Sequence, residues 1–336
     1  MLKETLNRDE MVYFAGIDGG GTKTTAAIAN EKGEVISLRE SGPSRLSSVS
    51  DEKVKEEIEK ALSNAVKQAG INLNDIAGLG WGVGGLDTKA DKKKANRIIE
   101  RIIPTGIKKN IKDDATIGLF SGTFGGAGVS IIAGTGSLIV GIDPFSIRAR
   151  VDGWGYLFGD LGSAFYIGKR AIQAVLEAHD GRGADTELRE IILGELGLNS
   201  PEEVITHFYP FRDSPKKIAK FSKIVDSAAR EGDKVANTIL KSAANELVHS
   251  TKAVVEKLSF QKRKRLPIVL VGGVFNSTKV RKEVTSNLKK TFEIDVIRPG
   301  WPPVIGAIVA GMKEIEKKID KDVQSNLKQT SNLNGG

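Results

Sequence analysis

The 336-residue chain has no cysteine. That excludes a disulfide framework, thiolate zinc sites and cysteine-ligated iron–sulfur clusters. It has three histidines, His179, His207 and His249, and none stands at a metal-ligand spacing. They read as surface or structural groups. No apolar run approaches the ~20 residues of a membrane-spanning helix, so no membrane partner is expected. Met1–Met11 is polar and mixed in charge, without a signal-peptide core, and the chain is expected to be cytoplasmic. The net charge is +8, from 50 basic and 42 acidic residues. The basic clusters Lys92–Lys94, Lys108-Lys109, Lys262–Arg265 and Lys289-Lys290 are short and carry no interleaved aromatics. Solvated faces are expected, and no nucleic-acid partner.

What is present is an ordinary globular composition, 40% hydrophobic and 27% charged, long enough for two domains. The chain is organised around Phe14–Thr25, where an apolar run ends in Asp18 and the triplet Gly19-Gly20-Gly21 leads into Thr22-Lys23-Thr24-Thr25. Strand, tight turn, strand is the predicted structure. A glycine triplet alone reads as a turn. The flanking Asp and Thr-Lys turn it towards phosphate: bare backbone amides, hydroxyls of Thr22, Thr24 and Thr25, and the Lys23 cation. Asp18 is placed to hold Mg²⁺, directly or through water. The spacing is neither that of a P-loop nor that of a dinucleotide-binding strand–helix turn.

Three strands are predicted at Val12–Asp18, Lys23–Asn30 and Glu34–Ser41. A helix capped by Asp51 follows to Ala69, then a strand Ile76–Val83 ending in Gly84-Gly85-Leu86-Asp87, a helix Asp91–Ile103, a short strand Ile107–Ile111 and a helix from Asp113-Asp114 to Phe120. That order, βββαβαβα, is a ribonuclease-H-like unit. It recurs as strands Gly128–Ala133 and Leu138–Asp143, a mainly helical stretch 153–260 read as an insertion, strand Pro267–Val271, helix Asn276–Lys289, strand Ile294–Arg298 and helix Val304–Lys317. The predicted fold class is α/β: domains at 12–124 and 125–317 around a nucleotide cleft, then a polar, frayed tail at 318–336.

A second glycine turn, Gly134-Thr135-Gly136-Ser137, offers the same chemistry as the first, and two such hairpins would clamp a triphosphate. Asp114 follows a short strand at a helix start. It reads either as a helix cap, a role Asp113 could take instead, or as a carboxylate that accepts the proton of an attacking hydroxyl and orients it. Trp81 and Trp301 read as packing residues.

The run G-I-D-G-G-G-T-K-T at residues 16–24 resembles the first phosphate motif of the actin-like ATPase and sugar kinase superfamily. Within it, the chain resembles the N-acetylglucosamine kinase and BadF/BadG/BcrA/BcrD group over roughly residues 12–315. The most specific run is Gly153–Ala164, similar to the group's G-W-G-x-x-x-G-D-E-G-S-A signature. The resemblance implies an actin-like ATPase fold and an ATP- and Mg²⁺-dependent sugar kinase acting on N-acetylglucosamine, glucosamine or a hexose at its primary hydroxyl, as a homodimer. It implies Asp114 as catalytic base; Gly153, Trp154, Gly155 and Asp160 as sugar-binding; Thr135 and Gly136 as the second phosphate motif; and Gly272-Gly273 with Ala219 at the adenosine.

Two departures bear on the acceptor. Leu161 stands where the group has Glu, and Arg45-Leu46 where it often has Asn and an aromatic residue or His. Arg45 would suit an anionic or larger acceptor, or point to solvent, and solvent is the expectation. The alternative function is an ATPase with conformational output. An activator of the BadF type needs cysteines for its iron–sulfur cluster, which this chain lacks, as it lacks the Cys-rich zinc motif of ROK sugar kinases.

Overall fold

The computed structural model describes residues 11–86, 88–208, 214–260 and 265–331. Asp87, expected to end a strand–turn segment, lies outside the described residues, as do most of the Lys262–Arg265 cluster, Met1–Glu10 and the last five residues of the tail. Contacts divide the chain into two units. One holds the residues up to Gly126 and those from Pro299 onward; the other is Ala127–Arg298.

The first unit carries β1 (Tyr13–Gly19), β2 (Thr24–Asn30), β3 (Val35–Ser41), β4 (Ile76–Val83) and β5 (Lys108–Asp113), in the order β3-β2-β1-β4-β5. β1, β2 and β3 are antiparallel, whereas β4 and β5 run parallel to β1. α1 (Asp51–Ala69) buries Val54, Ile58, Ala61, Leu62 and Ala65, an i, i+4 stripe. Its cap is Ser50, whose hydroxyl accepts the Lys53 N–H, and not the expected Asp51, which sits one position inside the helix. α2 (Lys89–Glu100) opens with a reciprocal box between Thr88 and Asp91, and α3 (Asp114–Thr123) comes directly after β5.

The second unit repeats that sheet with β6 (Gly128–Ala133), β7 (Ser137–Ile142), β8 (Arg148–Asp152), β9 (Leu266–Val271) and β10 (Ile294–Ile297), in the order β10-β9-β6-β7-β8. Two antiparallel and two parallel pairings recur, with one strand more than the four read from the sequence. β8 is not among the predicted strands, because Arg-Ala-Arg-Val-Asp is short and half charged. Its edge position tolerates that sequence, since one flank lies beyond the sheet. Among the described residues, five helices stand between β8 and β9: α4 (Ala164–His179), α5 (Leu188–Leu196), α6 (Glu203–Phe208), α7 (Ser214–Glu231) and α8 (Lys234–Glu256). α9 (Thr278–Lys289) joins β9 to β10.

The closing helix α10 (Val304–Glu314), expected in the second domain, belongs to the first unit, where it packs on β1, β4 and α3. Glycine makes this possible. A Cβ on Gly80 would lie 1.9 Å from the Ala307 carbonyl oxygen, and one on Gly78 would lie 2.4 Å from that of Gly311. The tail also departs from expectation. α11 (Lys321–Thr330) is ordered, with Leu327 buried and the Thr330 hydroxyl accepting the Val35 N–H at 2.7 Å. Lys328 lies over the rings of Phe124 and Trp301, 5.0 and 5.6 Å from their centroids. The lone apolar positions Val323 and Leu327 in a polar run hid this helix from composition. Trp81 and Trp301 are packing residues, Trp81 fully buried and Trp301 against Phe124.

Candidate functional site

In the first unit the β1–β2 hairpin pairs Gly19 with Thr24 and Asp18 with Thr25, and Gly20 donates to the Lys23 carbonyl at 3.0 Å. Gly19 is glycine for space: a Cβ there would meet the Ser44 hydroxyl at 2.7 Å and the Trp81 indole nitrogen at 3.2 Å. Gly21, Thr22 and Lys23 form the exposed tip. Two expected phosphate donors face elsewhere. The buried Thr24 hydroxyl bonds to the Gly42 carbonyl and to Ser44, both at 2.7 Å, and Lys23 pairs with Glu40 across the sheet.

Asp113 takes the helix cap, its carboxylate accepting the N–H and hydroxyl of Thr116 at 2.9 and 2.8 Å. Asp114 is thereby left in the first turn of α3, beside Asp18 at the end of β1. Asp18 is pushed up to about 6 by burial first and then by the charge of Asp114, while Lys23 opposes the rise. Gly84, at the end of β4, donates to the Gly19 carbonyl at 2.9 Å. A Cβ on Gly84 would sit 3.5 Å from Asp114 Oδ2 and 3.3 Å from Arg45 Cγ. Asp18, Asp114, Gly84 and Arg45 therefore share one corner of this unit. Arg45 is half-buried, and its Nε donates to the exposed Ser47 hydroxyl at 3.3 Å.

In the second unit the β6–β7 turn is held by the start of α4. The Gly134 and Thr135 carbonyls accept the Ala164 and Phe165 N–H groups there, at 2.8 and 3.2 Å. Asp160, in the left-handed conformation at φ 58°, turns its carboxylate to this hairpin and accepts the Ser137 N–H at 3.0 Å. A Cβ on Gly136 would meet that carboxylate at 2.7 Å. Sequence reasoning missed Asp152. Its carboxylate accepts the N–H groups of Gly153, Asp160 and Leu161 at 2.8, 3.0 and 3.0 Å, folding the loop that Gly153 (φ 78°) and Gly155 (φ 80°) shape. An Asp one residue before a G-W-G run was the available signal. Trp154 is 72% exposed, with the Arg150 guanidinium 5.7 Å from its ring centroid.

Thr135, Ala219 and Gly273 come together on a cavity of about 670 Å³, joined by Lys216, Lys220, Lys223 and Asn276. The row of lysines on one face of α7 was also missed, though its 4- and 3-residue spacing is visible in the sequence. Gly272 (φ 105°), at the end of β9, is packed so closely that a Cβ there would meet the Ala133 carbonyl oxygen at 2.3 Å. His179 pairs with Glu202. Among the described residues no cluster of three or more His, Asp or Glu could hold a metal, and no helix is long and apolar enough to cross a membrane.

The sequence model of the BadF/BadG/BcrA/BcrD ATPase family matches residues 15–311. An N-acetylmuramic acid/N-acetylglucosamine kinase of Clostridium acetobutylicum is 34% identical over 311 residues, covering 91% of this chain and 100% of the relative. An N-acetyl-D-glucosamine kinase of Dictyostelium discoideum is 31% identical over 314 residues, covering 89% and 97%. Among solved structures, a candidate N-acetylglucosamine kinase of Chromobacterium violaceum superposes with a TM-score of 0.72 at 24% identity, covering 90% of this chain and 99% of that one.

Proposed function

Because the chain belongs to the BadF/BadG/BcrA/BcrD ATPase family, we propose that it is a sugar kinase, transferring the γ-phosphoryl group of Mg-ATP to the primary hydroxyl of N-acetylglucosamine, glucosamine or a hexose. The observation that carries this reading is the division of labour at the start of α3. Asp113 caps the helix, and Asp114 stands beside Asp18 at the edge of a glycine hairpin.

Phosphoryl transfer passes through a loose transition state, so the protein's task is to position and to balance charge. Asp114 orients the acceptor hydroxyl and takes its proton as the new O–P bond forms and the bond from the γ-phosphorus to the β,γ-bridging oxygen breaks, leaving ADP. The exposed tip at Gly21 and Thr22 would face phosphate oxygens, and the bare turn lets them approach. In the second unit, the cavity lined by Thr135, Ala219 and Gly273 takes the nucleoside, and its lysines add positive charge.

The residues fit a divalent cation. Asp18 is a hard oxygen donor whose ionised form is disfavoured by burial and by the Asp114 charge, and the nearby cation Lys23 is engaged with Glu40. Asp18 would hold Mg²⁺, with water and phosphate oxygens completing its shell, as this ion prefers. Bound there, the ion would neutralise charge on the transferring phosphates.

The test is ADP release across a panel of N-acetylglucosamine, glucosamine, glucose, mannose and N-acetylmannosamine, with Asp114→Ala in parallel. Stimulation by one sugar, lost in the variant, supports the reading. ADP release indifferent to every sugar removes it.

A further inference from the structure

The buried stripe of α1 has one charged member. Glu57 stands among Val54, Ile58, Ala61, Leu62 and Ala65 and is 5% exposed. A carboxylate so placed costs stability unless its oxygens are bonded. One oxygen of Glu57 accepts the Gly42 N–H at 2.6 Å, and the other pairs with Lys53 at 2.7 Å. The two partners differ. Lys53 is partly exposed and also reaches Glu56 at 3.1 Å, so it does not depend on Glu57. Gly42 is shaped for the carboxylate, because a Cβ there would lie 2.9 Å from Cδ and Oε1 of Glu57. Its carbonyl accepts the buried Thr24 hydroxyl at 2.7 Å, so Gly42 is held through both of its polar groups.

Gly42 heads the segment that spans the Asp114 corner. Further along it, the Ser44 N–H donates to the Gly20 carbonyl at 3.1 Å, in the first glycine hairpin. The Leu46 N–H then donates to the Gly84 carbonyl at 3.0 Å, at the end of β4. Both side chains are buried. Gly84 is also the position that Asp114 Oδ2 faces, at 3.5 Å from a Cβ built there. The spacing between the hairpin and Asp114 thus depends on where this segment is anchored, and α1 supplies the anchor through Glu57. Resting on the sugar-kinase reading, we propose that Glu57 is a positioning residue for phosphoryl transfer: acting through the Gly42 N–H, it fixes the segment that holds the phosphate hairpin against the Asp114 corner. Small displacements of reacting groups lower rates steeply. Removing the anchor should therefore cost more in rate than a loss of stability accounts for.

The experiment measures kcat and KM for Mg-ATP with whichever panel sugar gives the fastest ADP release, the Kd of Mg-ADP, and thermal unfolding. The proteins are wild type, Glu57→Gln, Glu57→Ala, Gly42→Ala and, as a control for stability alone, Ile58→Val. Glu57→Gln keeps an oxygen for the Gly42 N–H and gives up the charge, so its kcat/KM should stay within about threefold of wild type. Glu57→Ala and Gly42→Ala disturb the same contact from its two sides, and each should lose about tenfold or more. Ile58→Val should melt lower and keep its kcat/KM. Wild-type kcat/KM in either Glu57→Ala or Gly42→Ala shows a staple of the fold and overturns the proposal. An unfolded Glu57→Ala leaves the decision to Gly42→Ala. A Glu57→Gln as slow as Glu57→Ala also overturns it, and gives the effect to the charge pair with Lys53. If no sugar stimulates the wild type, the kinase reading falls by itself and Mg-ADP decides on Glu57. A Kd raised about tenfold in Glu57→Ala then keeps its hold on the hairpin, and an unchanged Kd removes it.

Discussion

The main-chain N–H of Asp160 donates to Oδ1 of Asp152 at 3.0 Å, while Asp160's own carboxylate receives the N–H of Ser137 at 3.0 Å. Asp152 thus holds the residue that holds the second glycine hairpin. Replacing Asp152 with Asn keeps a residue tolerant of φ 65° but turns an amide nitrogen towards N–H donors. A loss of about 2 kcal/mol is expected, concentrated in the loop. Hydrogen exchange should accelerate at residues 153–163 ahead of the β6–β7 strands. Unchanged protection in that loop would show that Asp152 does not organise it.

Asp113 and Asp114 are adjacent but should fail differently. Asp113→Ala removes the cap of α3 and should lower stability by about 1 kcal/mol. Asp114→Asn removes the charge that disfavours ionised Asp18, so the melting temperature should hold or rise. ADP release with the preferred sugar should drop by about 100-fold or more. Thermal unfolding and turnover on the same two variants separate the roles. A destabilised Asp114→Asn with normal specific activity would reverse the assignment.

Much of this was legible in the sequence, because hydrophobic period and glycine position are local signals. β4 and β6 fall where Ile76–Val83 and Gly128–Ala133 predict them, and the recurrence of element order anticipates two sheets of one topology. What was hidden depends on distant partners. α11 is polar except at Val323 and Leu327, and Lys328 finds its aromatic partners in Phe124 and Trp301, remote in sequence. Lys23 and Thr24 looked like phosphate donors because sequence cannot show that Glu40 and Gly42 lie across from them. The path of the Arg45 stem was hidden for the same reason: the glycines beside it come from the end of β4 and the hairpin tip.

Asp233 makes stability depend on acidity. Burial alone would raise its pKa, but the Ala236 N–H, the Thr186 hydroxyl and the Glu187 N–H together hold it below the ordinary value. The folded pKa lies under the unfolded one, so the contribution is complete above the unfolded value and fades as pH falls through the folded value. Asp233 caps α8 and also ties down the start of α5. Asp233→Asn should therefore melt below wild type near pH 7, and the gap should narrow as pH falls through the carboxylate range. A gap that stays constant or widens on acidification would rule out this linkage.

The glycines beneath α10 give the sharpest contrast between two chemically identical changes. Gly80 faces the Ala307 carbonyl oxygen so closely that a Cβ would lie 1.9 Å away, with the Gly311 backbone nitrogen at 2.9 Å. Both are backbone atoms of a helix whose buried residues run from Val304 to Met312, so neither can yield without moving the whole element. A Cβ on Gly106 meets nothing within 4 Å. Gly80→Ala should cost about 3 kcal/mol by overpacking. Gly106→Ala should be neutral or slightly stabilising through the unfolded chain. The comparison needs only two melting curves. Equal melting temperatures would mean that α10 does not rest on β4 at the distance that the bare Gly80 allows.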